Sequence, residues 1–96
     1  MATVVIAETA LEDLIALIAA LELPPSTRAR VRRSIEPLAA FPRIGPALDG
    51  RWSGFRFILG PWPWMLIVYA FDEATDRVTI ATIQDARSGS APRSAP

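Results

Sequence analysis

The chain contains no cysteine, no histidine and no lysine. Without cysteine there are no disulfides, no thiolate metal ligands and no cysteine nucleophile. Without histidine the usual general base and the commonest metal ligand are missing. Zinc chemistry and a Ser-His-Asp triad are therefore excluded, and no cofactor or metal is expected. All ten basic residues are arginine, balanced by ten acids, so the formal net charge is zero. A G+C-rich coding bias accounts for arginine without lysine; bidentate anion recognition is the sharper reading. No bulk polycation is present to hold nucleic acid without help. The opening "MATVVIAETALEDL" has no basic n-region and carries acids early. It does not read as a secretory signal, and the expected location is cytoplasmic.

What is abundant is apolar surface. A chain of 96 residues makes one domain and buries roughly 60–65% of its unfolded surface. The stretch "FILGPWPWMLIVYAF", Phe57 to Phe71, carries no charge. It is too short for a membrane helix, which needs about 20 apolar residues, and Gly60, Pro61 and Pro63 break it. Divided at "GPWP", it reads as two adjacent strands of a hairpin. Upstream, "TVVI" reads as a first strand. Thr9 and Glu12 form a capping-box pattern, and Leu11, Leu14, Ile15, Ile18 and Leu21 follow as one helical stripe that "LPP" ends. Ser26 is placed to cap a second helix with Val31, Ile35 and Leu38 as its stripe; Pro37 predicts a kink or an end. "DEATD" predicts a turn and "RVTIATIQD" a last strand.

The predicted order is β-α-α-β-β-β, an α+β fold with an N-terminal helical hairpin packed on a mainly antiparallel sheet. The opposite sheet face is expected to be open or covered by a partner. Residues 1–87 form the single domain, and the Pro/Ser-rich tail, 88–96, is expected to be disordered.

Four segments in this order carry a resemblance. They are "IEPLAAFPRIGPALDG", "GFRFILG", "IVYAFD" and "VTIATIQDAR". Together they resemble the RelE/ParE toxin superfamily, the toxin half of bacterial type II toxin–antitoxin systems, over Val4 to Arg87. The resemblance implies a cognate antitoxin partner, a hetero-oligomeric complex and no membrane. It also implies one of two activities. RelE-like members cleave mRNA in the ribosomal A site without metal; ParE-like members bind DNA gyrase and block it.

The nuclease pattern is incomplete here. Only Tyr69 supplies a phenol. Leu66 stands where many relatives carry an arginine three residues before the tyrosine, and Asp85 where a histidine is frequent. A carboxylate at Asp85 repels phosphate. A ParE-like gyrase inhibitor, not an enzyme, is therefore the expected function; the alternatives are a RelE-like endoribonuclease and a degenerate, non-toxic member. Candidate antitoxin or target contacts are Arg56 and Arg87, whose bland reading is a paired or solvated surface charge; Arg28 and Arg32, which share a helix face; and Tyr69. Trp62 and Trp64 join them because a small domain rarely buries two tryptophans beside one turn, and exposed aromatics mark interfaces.

Overall fold

The apolar stretch folds as a hairpin whose turn lies where the prolines forbid both helix and ladder. A computed structural model describes residues 1–88. Strand β1 (Thr3–Ile6) leads into helix α1 (Glu8–Leu21) and helix α2 (Thr27–Ile35). A 3-10 turn (Glu36–Ala39) follows, then β2 (Arg56–Leu59), β3 (Met65–Asp72) and β4 (Arg77–Asp85). The sheet order is β1-β4-β3-β2. Only the β1–β4 pair is parallel; β4–β3 and β3–β2 are antiparallel. The expected α+β architecture and element order are what the chain adopts. Among the described residues no helix is long and apolar enough to cross a membrane. From residue 89 onward the tail expectation lies outside the described residues.

The core forms where helices meet sheet. Leu38 and Val31 are buried at 0% and 2% exposure beside Met65, Ile67, Tyr69, Val78 and Ile80. The α2 stripe is the predicted one. Pro37 acts as expected too: it cannot donate the next helical hydrogen bond, and the α-helix gives way to the 3-10 turn at Glu36.

A bulge in β4 sets which residues reach this core. The register runs Val68↔Thr82 and then Tyr69↔Ile80, leaving Ala81 unpaired. One extra residue reverses the facing of everything beyond it. Ile80 and Ile83 therefore both face the helices, whereas Thr82 and Gln84 face away with Val68 and Leu66.

Three expectations need correction. The Thr9–Glu12 capping box does not form: α1 starts at Glu8, with Ala7 at the cap position and no side-chain cap. Helix α1 buries Ala10 and Leu14 and half-buries Leu17 and Ile18, while Leu11, Ile15 and Leu21 stay exposed. Its buried stripe is thus rotated from the one read from leucine and isoleucine alone, because the small Ala10 lets the helix approach the sheet. Finally, the opposite sheet face is closed at its centre, where Leu66 and Val68 are 6% and 0% exposed. Their cross-strand neighbours, Leu59 and Gln84 for Leu66, Phe57 and Thr82 for Val68, flank them.

Leu38→Ala removes a fully buried side chain between the helices and the sheet. It is expected to cost about 2–5 kcal/mol of stability, measured by urea unfolding with the slope m unchanged.

Candidate functional site

Arg56 and Tyr69 are register partners on β2 and β3, so their side chains leave the same face of the sheet. Both converge on Gly45. The Gly45 amide donates to the Tyr69 hydroxyl at 3.0 Å. Arg56 Nη1 donates to the carbonyls of Gly45 at 2.8 Å and Arg43 at 3.3 Å. Gly45 has no room for a side chain: a Cβ would sit 2.2 Å from the Phe57 carbonyl oxygen. Arg43 holds the loop from outside, through an ion pair with Glu73 at 3.1 Å and a guanidinium 4.9 Å from the centre of the Phe71 ring. The Pro46–Leu48 segment then runs along β2, with Ala47 bridged to Arg56 and the Leu48 amide bonded to the Phe55 carbonyl.

This arrangement corrects the expectation for Tyr69 as a contact residue. Its side chain is fully buried and its hydroxyl is occupied. Burial pushes the phenol above its ordinary value of 10.0; the Gly45 amide and the Arg56 charge oppose that only in part. At neutral pH the phenol is protonated and is no base. Arg56 sits half-buried with its guanidinium turned onto backbone carbonyls.

Trp62 and Trp64 lie beside the hairpin turn, neither fully buried nor fully exposed. Trp62 and Trp64 stack with centroids 5.8 Å apart and an interplanar angle of 13°. Arg30 of α2 lies 4.8 Å from the Trp62 ring centre, and Arg87 lies 4.7 Å from that of Trp64. Both rings are half-buried and pack against the core. Cations satisfy the π faces that a short turn leaves uncovered, which is how two tryptophans beside one turn avoid full exposure. The stack joins α2, the hairpin turn and the end of β4, where the Ala86 amide donates to the Trp64 carbonyl at 2.7 Å.

Arg87 is held twice. Besides Trp64 it meets Asp85 in a fork, Nε to Oδ1 at 2.9 Å and Nη2 to Oδ2 at 2.8 Å. Its own amide donates to the same carboxylate. These bonds hold the Asp85 carboxyl below its ordinary value of 3.8. The pairing is present above the unfolded-state pKa and is lost as pH falls through the lowered one. Since both groups face solvent, it adds little stability.

Arg28 and Arg32 are exposed along α2, as their spacing implied, and Arg33 lies beside them. Sequence reading missed Asp13. From α1 its carboxylate accepts from the Thr82 hydroxyl and from the Ile83 amide. It thereby caps the β4 edge beyond the point where β1 stops pairing. The signal was present: an acid inside an apolar helix, facing a strand whose alternation breaks at Ala81.

No protein-family model matches the sequence, and a search of curated proteins finds no match. Solved structures do match. The toxin–antitoxin complex RelBE2 from Mycobacterium tuberculosis superposes with a TM-score of 0.67 at 24% identity, covering 88% of this chain and 96% of the matched one. The intact RelBE toxin–antitoxin complex of E. coli gives 0.66 at 17% identity, covering 92% and 100%. The isolated E. coli RelE toxin gives 0.66 at 14% identity, covering 94% and 89%. The chain has the RelE toxin fold. Within this RelE-like fold, Arg56 and Tyr69 join a structural knot around Gly45, and Arg87, Trp62 and Trp64 a second one, while Arg28 and Arg32 stay on the exposed face of α2.

Two measurements test these knots. Tyr69→Phe strands the buried Gly45 amide and is expected to cost about 1–3 kcal/mol. A raised phenol pKa gives stability that is complete below the unfolded-state value and is lost as pH rises from there through the folded value. Wild-type stability should therefore fall above about pH 10, and Tyr69→Phe should remove that part of the alkaline loss. The stacked indoles should also give an exciton couplet in circular dichroism. Trp62→Leu or Trp64→Leu should abolish it, whereas Trp52→Phe leaves it.

Proposed function

We propose that this protein is the toxin of a type II toxin–antitoxin pair and a member of the RelE/ParE superfamily. We infer that it acts by binding a protein target, with DNA gyrase as the target the ParE-like branch implies. The fold supports the toxin reading: the chains it resembles include toxins solved in toxin–antitoxin complexes.

The observation that favours binding over RNA cleavage is the state of the chemistry-bearing residues. Cleavage by 2′-hydroxyl attack needs a group to take the proton and cations free to meet the phosphorane. Here Tyr69 is buried and neutral, Arg56 Nη1 is bonded to backbone carbonyls, and Arg87 is paired with Asp85. The chain has no lysine or histidine to take the part of proton carrier or second cation. Arg28 and Arg32 on α2, with the outer parts of Trp62 and Trp64, are the contacts assigned to antitoxin or target. An acidic, amphipathic antitoxin segment fits that surface.

The antitoxin-free protein is expected to inhibit gyrase-catalysed supercoiling of relaxed plasmid at near-stoichiometric ratios, with relief on adding the antitoxin encoded beside it. It should leave mRNA intact on translating ribosomes. Cleavage of that mRNA would overturn the binding mechanism, and an inert result in both assays would leave a scaffold that only holds its antitoxin. Arg28→Glu together with Arg32→Glu should weaken antitoxin binding about tenfold or more, read by titration calorimetry.

A further inference from the structure

Strand β1 forms one edge of the sheet. The amides of Thr3 and Ala7 point inward, to the Asp76 and Ile80 carbonyls of the β4 side. Alternation therefore turns the N–H and C=O of Val4 and Ile6 outward. Ala2 is already taken, its amide donating to the Ala39 carbonyl at 2.8 Å. The opposite edge, β2, is bridged by Ala47. So β1 offers two residues of open ladder, Val4 and Ile6. The strand is short, but it has no charge, no proline and no bulge, and an open edge without these is a template for another strand.

Beside this edge lies an open groove of about 620 Å³. Its apolar lining includes Val4, Ile6, Ile35 and Ala39, and Arg32 and Glu36 lie on it one turn apart. Among the described residues neither Arg32 nor Glu36 has an ion-pair partner. Val5 and Ile6 are about 40% exposed.

We propose that the antitoxin-free protein forms a two-fold dimer through β1, joining two four-stranded sheets into one. A two-fold interface must be self-complementary, and this edge is. In antiparallel register Val4 of each copy pairs with Ile6 of the other, exchanging four backbone hydrogen bonds, and the two Val5 side chains face each other at the axis. The α2 helices then run antiparallel, which brings Arg32 of one copy towards Glu36 of the other. The zero net charge of the chain sets no long-range repulsion against association. Arg32 belongs also to the surface assigned to the antitoxin, so a bound antitoxin and a second copy compete.

Sedimentation equilibrium of the full, antitoxin-free chain over a concentration series tests this without any toxicity readout. The mass should rise to twice the 10.5 kDa of one chain. Val5→Lys places like charges across the axis, and Ile6→Pro removes an outward N–H at an edge position that tolerates proline. Both should give monomers with unchanged far-UV circular dichroism. Arg32→Glu should weaken the dimer about tenfold or more, and Arg32→Glu combined with Glu36→Arg should restore it. A mass of one chain at every concentration would overturn the proposal. So would a dimer indifferent to Val5→Lys and to the charge swap, or protection of the Val4 and Ile6 amides from hydrogen exchange only when antitoxin is bound.

Discussion

Strand β3 has to be buried on both faces, and most of the molecule is arranged around that need. From Met65 to Tyr69 every residue is at most 6% exposed. A strand that apolar is stable only with a neighbour on each edge and cover above and below. The helices cover one face through Leu14, Val31, Ile35 and Leu38. On the other face Leu66 and Val68 are buried between β2 and β4, their register neighbours on either side. The bulge at Ala81 serves the same end, because without it Ile83 would turn away from the helices.

The polar residues of the interior follow from that arrangement. Tyr69 lies in the most buried part of β3, so its hydroxyl must find a partner, and the Gly45 amide provides one. That bond and the Arg56 fork onto the loop carbonyls hold residues 43–45 against β2, from which the Pro46–Leu48 segment continues along its edge. Asp13 does the equivalent for the far end of β4. In each case a side chain that looks reactive in the sequence completes a hydrogen bond that the backbone could not.

The tyrosine, the strand arginine and the arginine after β4 each meet partners within the chain. What remains accessible is surface: the arginine face of α2, the cation-flanked tryptophans, and the open edge of β1. Surfaces of this kind recognise proteins by strand addition, helix docking and charge.

The local elements were legible because their signals are local. Prolines at 61 and 63 mark the hairpin turn, Pro37 the end of α2, and the spacing of Val31, Ile35 and Leu38 its buried face. By itself the sequence determined the β-α-α-β-β-β order and, through the absence of histidine, cysteine and lysine, most of the chemistry that is excluded. Only the tertiary structure decided the roles of the named side chains. Arg56 and Tyr69 are thirteen positions apart, and Gly45 lies 24 before Tyr69; only the β2–β3 register brings them together. Likewise Arg30, Trp62, Trp64 and Arg87 come from three separate parts of the chain. Whether an arginine is free or spent depends on its neighbours in space, and those are set by long-range packing that no spacing along the chain encodes.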